Sequence, residues 1–236
     1  MVEIRTLPDA AAWAGACADL LAETLSEAVA ETGKAVFAGA GGSTPAPIYA
    51  RLAEAPLDWS RIAVTLVDER YVPESSGDSN AALMKRTLLT GPAAAARFIP
   101  LYSSQVTIDR AAAVAAHALA AEGGRIDAAL LGMGEDGHIC SMFPGNPALK
   151  SLLSPALRPT VFGVAAGRDG MPPSLERLSI NIPYLTGARR VVLALTGAKK
   201  REVFEQEAAG DPNTRPIAAL IAHGAPLEVL WTEAAR

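Results

Sequence analysis

A histidine in a glycine-rich segment is the strongest candidate for chemistry in this sequence. Residues 132–145, GMGEDGHICSMFPG, follow an apolar run and place His138 two positions after Asp136. An imidazole can take a proton from water near neutral pH, and a nearby carboxylate can orient its ring. We therefore predict that His138 is a general base oriented by Asp136. His117 and His223, in and near helices, are predicted to be ordinary polar residues.

A second glycine-rich segment, residues 39–45 (GAGGSTP), lies between a predicted strand and a predicted helix. The backbone of Gly41 and Gly42 can approach a ligand closely, and N–H groups at a helix start bind phosphate. Ser43 and Thr44 add hydroxyl groups. The segment matches neither GxGxxG nor GxxxxGK[ST]. It predicts a phosphate site, with a purely structural turn as the alternative.

The segment DERYVP follows another predicted strand and begins with Asp68, Glu69 and Arg70. A guanidinium can hold an anionic oxygen through two hydrogen bonds, so Arg70 is a candidate anion contact. Asp68 is a candidate substrate or positioning residue. The alternative is a surface ion pair, with Asp78 capping the next helix.

Two lysines, Lys199 and Lys200, stand in the first turn of a predicted helix after Thr196 and Gly197. A cation there opposes the helix dipole, which favours negative charge at that end. The position therefore indicates a bound anion, and an exposed lysine pair is the alternative.

Hydrophobic periodicity predicts elements that would bring these segments together. Helices are predicted at 9–31, from about 45, and at 79–89, 108–122, 198–208 and 216–222. Strands are predicted at 34–38, 62–67, 98–101, 126–131, 161–165, 190–195 and 227–231, with an alternating stretch at 178–182. Residues 68–77 are predicted to be a loop, and 160–185 a small irregular lobe.

Alternating strands and helices predict an α/β fold with a mostly parallel sheet covered by helices on both faces. We expect a Rossmann-like three-layer architecture forming one domain over residues 1–236. In such folds ligands bind beyond the carboxyl ends of the strands, where all four segments lie.

Composition excludes several classes of function. The 236 residues are 50% hydrophobic and carry a net charge of −4 without a long basic run, so nucleic acid is not an expected partner. Cys17 and Cys140 show no metal-ligand spacing. Neither a signal peptide nor a membrane-length apolar run is visible, and we expect a cytoplasmic protein.

The segments taken together resemble the 6-phosphogluconolactonase family, which is related to the glucosamine-6-phosphate deaminases. The matching stretches occur in the family's order over nearly the whole chain: AGAGGSTP, VDERYVP with DSN, LLGMGEDGHICSMFPG, LERLSINIPYL and LALTGAKKREVF. The deaminases have an aromatic residue at the position of Arg70 and a glutamate at that of Phe143. Their relay of His, Asp and Glu is therefore incomplete here.

The resemblance implies hydrolysis of 6-phosphoglucono-1,5-lactone in the pentose phosphate pathway, with His138 activating water. Ser43, Thr44 and Lys200 would contact the phosphate, with Lys199 as the alternative to Lys200. Arg70 would face the oxyanion or bind substrate hydroxyls.

Further contacts implied by the resemblance are less specific. Asp68 would position Arg70 or a sugar hydroxyl, and Arg168 and Arg177 are candidate anion contacts. Two stretches depart from the common family form: Cys140 replaces a small residue, and residues 171–175 (MPPSL) replace a lysine- and proline-rich run.

No metal, nucleotide or redox cofactor is implied, and we expect a monomer or a small homo-oligomer. Two other functions compete with the lactonase: a glucosamine-6-phosphate deaminase/isomerase-like enzyme and a non-catalytic phosphosugar-binding module. The module is disfavoured because residues 1–33 contain one amphipathic helix and no basic helix-turn-helix.

Overall fold

The computed structural model describes residues 2–233. The helices are α1 (Ala10–Thr32), α2 (Ala46–Ala53), α3 (Asn80–Thr87), α4 (Ile108–Ala121), α5 (Leu149–Leu152), α6 (Ile182–Thr186), α7 (Ala198–Ala208) and α8 (Pro216–Ala222). The strands are β1 (Ile4–Thr6), β2 (Ala35–Gly39), β3 (Ile62–Leu66), β4 (Asp68–Arg70), β5 (Arg97–Phe98), β6 (Ala128–Leu131), β7 (Val161–Val164), β8 (Arg177–Ile180), β9 (Arg190–Thr196) and β10 (Leu227–Thr232).

The main sheet has seven strands in the order β1-β10-β9-β6-β2-β3-β5. Every pairing in it is parallel. All residues of β2, β3 and β6 are buried. Because successive strand residues point to opposite faces, complete burial means that both faces of the sheet are covered. The predicted α/β class with a mostly parallel sheet is confirmed.

Helix α1 shows why the predicted elements form where they do. The Asp9 carboxylate accepts a hydrogen bond from the Ala12 N–H at 2.7 Å and caps the helix start. Gly33 ends the helix in the left-handed conformation, with φ of 79°. The face carrying Trp13, Cys17 and Leu21 is buried.

A second, three-stranded antiparallel sheet has the order β4-β8-β7. It corrects the expectation for residues 68–70, which form a strand rather than a loop. The predicted strand at 161–165 and the alternating stretch at 178–182 are confirmed as β7 and β8, but they belong to a regular sheet and not to an irregular lobe. The three-residue β4 is too short to show a periodicity. The strand β1 and the short helices α5 and α6 were also not predicted.

The four segments with candidate chemistry follow four adjacent strands of the main sheet, β9, β6, β2 and β3. Since these strands are parallel, their carboxyl ends lie along one edge and bring the segments together. Within residues 2–233, no helix has the length and apolar character needed to cross a membrane.

A buried carboxylate links strands β2 and β6 at their amino ends. Asp127 precedes β6, and its Oδ2 accepts a hydrogen bond from the Val36 N–H of β2 at 2.8 Å. Its Oδ1 lies 2.8 Å from a guanidinium nitrogen of Arg125 and 3.1 Å from Nε of Arg189. This side chain is only 3% exposed, so its charge depends on these partners.

We expect Asp127→Ala to lower the free energy of unfolding by about 1–3 kcal/mol, because the buried Val36 N–H loses its acceptor. The matched control is Glu31→Ala, which removes the exposed carboxylate 2.6 Å from Arg189 and should cost less than about 1 kcal/mol. Urea unfolding of both variants measures the difference. Equal costs would contradict the structural role given to Asp127.

Candidate active site

A cleft opens at the carboxyl edge of the main sheet. Its lining includes nine of the predicted residues: Gly41, Gly42, Ser43, Thr44, Asp68, Arg70, His138, Arg177 and Lys200. Ala40, Val67, Asn80, Gly132, Met133, Gly134 and Cys140 complete it. Among the other predicted residues, Asp136 contacts His138 from outside this lining, whereas Lys199 and Arg168 do not line the cleft and are exposed.

His138 and Asp136 form a close pair, with Nδ1 of the imidazole 2.5 Å from Oδ1 of the carboxylate. Burial of the carboxyl group raises the pKa of Asp136, but the hydrogen bond and charge interaction with His138 outweigh it, and the pKa is lowered. An ionised carboxylate can only accept hydrogen bonds, so Nδ1 carries the proton. Nε2 of a neutral imidazole is then free to accept a proton.

The pair depends on a tight turn that only glycine can close. The Gly134 N–H donates to the His138 carbonyl oxygen at 2.9 Å, and the Gly137 N–H donates to the Gly134 carbonyl oxygen at 3.1 Å. A Cβ at Gly134 would lie 2.3 Å from Nδ1 of His138 and 2.4 Å from Oδ1 of Asp136. A side chain at this position would therefore displace the imidazole.

Two arginine side chains lie side by side on one face of the small sheet. Arg70 of β4 and Arg177 of β8 are directly opposite in the antiparallel register, so their side chains leave the sheet on the same side. Nη1 of Arg70 donates to the Asp78 carbonyl oxygen at 2.6 Å. Within residues 2–233, neither guanidinium has a carboxylate in salt-bridge range, and the buried Nε of each lacks a hydrogen-bond acceptor.

Burial lowers the pKa of Arg177, and the nearby Arg70 cation lowers it further, while Asp68 acts in the opposite direction. The two cations thus repel each other in a partly desolvated position. A bound anion would relieve this repulsion, so the arginine pair suits a carboxylate, a phosphate or a developing oxyanion.

Asp68 is held by neutral partners rather than by Arg70. Its Oδ2 accepts a hydrogen bond from Oγ of Ser141 at 2.6 Å, and its backbone carbonyl accepts one from Nδ2 of Asn80 at 2.9 Å. The Asn80 side chain also packs on the glycine segment, because a Cβ at Gly41 would lie 1.9 Å from its Oδ1. Asn80 therefore joins two of the converging segments.

Buried Glu69 connects β4 to the start of α3 through hydrogen bonds. Its carboxylate is fully buried and accepts hydrogen bonds from the N–H groups of Arg70, Asn80 and Ala81 at 2.7–2.8 Å. Burial raises the pKa of Glu69, and the three N–H donors partly offset that effect.

The start of α3 is capped by Ser79, which accepts a hydrogen bond from the Ala82 N–H at 3.2 Å, so the alternative of an Asp78 cap is wrong.

The two lysines of α7 differ in their surroundings. Lys200 lines the cleft, and burial lowers its pKa while the charge of Glu135 acts to raise it. Lys199 is exposed, and its Nζ lies 4.0 Å from a carboxylate oxygen of Glu202. Gly197 provides no side-chain cap at this helix start, with φ of 82°. Lys200 is thus the lysine placed to meet an anion in the cleft.

Comparisons with known proteins agree with this arrangement. A family model described as glucosamine-6-phosphate isomerases/6-phosphogluconolactonase matches residues 8–231. The chain belongs to this family. A 6-phosphogluconolactonase of Rhizobium meliloti (strain 1021) is 41% identical over 222 residues, which cover 93% of this chain and 94% of the relative.

A second relative and one solved structure give the same result. A 6-phosphogluconolactonase of Mesorhizobium japonicum is 40% identical over 227 residues, covering 96% of this chain and 94% of the relative. A crystal structure of a 6-phosphogluconolactonase from Shewanella baltica OS155 has a TM-score of 0.87 at 29% identity and covers 98% of both chains. The resemblance predicted from the sequence motifs is confirmed.

The family includes two kinds of enzyme, and position 143 bears on the difference. Phe143 is buried beside the base, with its ring centroid 4.2 Å from that of His138. An apolar ring thus occupies the position where the resemblance puts a glutamate in the deaminases. It can neither donate nor accept the proton that a relay would pass on.

Sequence analysis did not assign Asn80 to the site and gave Arg177 only a weak anion role. Asn80 lies in the DSN stretch, where only the resemblance drew attention to it. Arg177 enters the cleft because β8 pairs with β4, which is more than 100 residues earlier in the chain. That pairing is not visible in local periodicity.

Cys140 lines the cleft but is suited to packing rather than to reactivity. It is 7% exposed, and burial together with the charge of Asp68 raises the pKa of its thiol well above the usual value. Burial also raises the pKa of Cys17 to about 12.

Because the thiolate is the reactive form, we expect neither cysteine of the native protein to react quickly with a disulfide reagent at pH 8. Both should react after unfolding in guanidinium chloride, which serves as the positive control. Absorbance at 412 nm with dithiobis(nitrobenzoate) counts the thiols. One thiol reacting within seconds in the native protein would contradict the burial of Cys140.

Proposed function

We propose that this chain hydrolyses 6-phosphoglucono-1,5-lactone to 6-phosphogluconate, a reaction of the pentose phosphate pathway. Relatives named 6-phosphogluconolactonase at 40–41% identity support the proposal. The observation that carries it is an imidazole oriented by Asp136 in a cleft that also holds the cations Arg70, Arg177 and Lys200. This arrangement combines a proton acceptor with sites for negative charge.

The phosphate of the substrate binds at the end of the cleft formed by the glycine segment and the start of α7. Ser43 and Thr44 donate from their hydroxyl groups, and Lys200 supplies a positive charge that burial has partly desolvated. Backbone N–H groups at Gly41 and Gly42 add further donors. Binding at this end sets the lactone carbonyl near His138.

His138 then acts as the general base. Nε2 takes a proton from water while the water oxygen bonds to the lactone carbonyl carbon, which gives a tetrahedral oxyanion. Asp136 stabilises the resulting imidazolium through Nδ1. The bond from this carbon to the ring oxygen breaks, the imidazolium returns the proton to that oxygen, and the product carboxylic acid ionises.

The arginine pair faces the charge that develops during this reaction. Arg70 and Arg177 have no carboxylate partner among residues 2–233, so their positive charge is available to the oxyanion. Asp68 is held by Ser141 and Asn80 and serves to position a sugar hydroxyl.

Glucosamine-6-phosphate deamination is the competing activity within the family. The buried ring of Phe143 disfavours it, because a proton relay to the sugar lacks its third member. Parallel assays separate the functions: acid release from fresh 6-phosphogluconolactone, ammonia release from glucosamine-6-phosphate, and phosphosugar binding without turnover.

Three further expectations remain predictions: the cytoplasmic location, the single domain over residues 1–236, and the monomeric or small homo-oligomeric state. Light scattering tests the oligomeric state.

We expect His138→Ala to lower kcat by about 10²–10⁴-fold, the usual contribution of a general base, with little change in KM. The matched control is His117→Ala on the exposed face of α4, which should keep kcat within about 2-fold. A pH-indicator assay, corrected for spontaneous lactone opening, measures both. An unchanged rate for His138→Ala would overturn the assignment of the base.

The adjacent lysines provide a second matched comparison. Lys200→Ala should raise KM for the phosphorylated lactone by about 10- to 100-fold, because a charge-assisted hydrogen bond to the phosphate is lost. Lys199→Ala should change KM by less than about 2-fold, since its ammonium group lies in solvent. Initial rates across a range of lactone concentrations give both values. A larger effect at Lys199 would move the phosphate site.

A further inference from the structure

We propose that Phe143 is a positioning residue that holds the His138 imidazole in its productive orientation through ring stacking. The proposal rests on the proposed function, in which His138 is the general base. Phe143 lies outside the cleft lining and is 4% exposed, so it acts through its neighbours rather than on the substrate.

One hydrogen bond alone does not fix an imidazole. The contact between Nδ1 and Asp136 at 2.5 Å holds one edge of the ring, but this single distance leaves one combination of the χ1 and χ2 rotations of His138 free. The Phe143 ring contacts its face, with a centroid distance of 4.2 Å and an angle of 33° between the planes. The two contacts together define both the position of Nδ1 and the plane of the ring, and therefore the direction of Nε2.

The same phenyl ring also contacts Arg177, one of the two arginines of the cleft. Cζ of Arg177 lies 5.9 Å from its centroid, within the range of a cation–π interaction. Phe143 therefore lies against both the base and a cation that faces the oxyanion, and it sets the spacing between them. That spacing must match the distance from the attacking water to the carbonyl oxygen.

A leucine would fill most of the same buried volume without offering an aromatic face. An aromatic pair contributes enough interaction energy to change a conformational population by about 2- to 10-fold. If stacking holds the imidazole, Phe143→Leu should lower kcat by about this factor and leave KM nearly unchanged, because the phosphate contacts remain. A space-filling role alone would lower stability and leave kcat unchanged.

The test combines kinetics with NMR of the histidine ring protons. Phe143→Leu is compared with Phe143→Tyr, which keeps the ring, and with Phe204→Leu, which removes another buried phenyl group, on α7 and outside the cleft lining. The chain has only three histidines, so the His138 signals can be assigned with His138→Ala. In the wild-type protein, the ring current of Phe143 should shift the His138 signals upfield relative to His117 and His223.

We expect a lower kcat and loss of the upfield shift in Phe143→Leu, both restored in Phe143→Tyr, with wild-type kcat in Phe204→Leu. An unshifted His138 signal in the wild-type protein would overturn the proposal even if no variant folds. So would an unchanged kcat in Phe143→Leu when His138→Ala is inactive. Failure of the wild-type protein to open the lactone would instead overturn the proposed function.

Discussion

The hydrogen bond between Asp136 and His138 is the interaction on which the account of the site depends. Because the pKa of Asp136 is lowered, its carboxylate stays ionised and can only accept a hydrogen bond, which Nδ1–H of His138 donates. This selects the tautomer whose Nε2 can act as a base. The tight turn at Gly134 makes the contact sterically feasible, since a Cβ there would overlap both partners.

The sheet brings the other groups to this pair. Strands β9, β6, β2 and β3 are neighbours and run parallel, so Lys200, His138, the glycine segment and Asp68 follow strand ends along one edge. The resulting cleft contains three cations, and Lys200 and Arg177 are both partly desolvated. The phosphate of the proposed lactone substrate carries the negative charge that would offset this cost.

Sequence patterns predicted the parallel sheet because strands and helices alternate along the chain, and they predicted helices α7 and α8 with the bounds that the structure has. They predicted His138, Asp136 and the glycine segment because local spacing carries that information. Arg177 and Asn80 depend on long-range geometry. The pairing of β4 with β8 brings Arg177 to the cleft, and the buried Glu69 carboxylate holds Asn80 through its backbone N–H. Lys199 and Lys200 could not be separated without knowing which face of α7 is buried.

The most direct test is the protonation pattern of the His138 ring at a pH where the imidazole is neutral. NMR of protein labelled with ¹⁵N-histidine distinguishes the tautomers by the couplings between the ring nitrogens and the carbon-bound protons. The account predicts a proton on Nδ1, hydrogen-bonded to Asp136, and an unprotonated Nε2. A proton on Nε2 would contradict it, because His138 could not then accept a proton from water in the cleft.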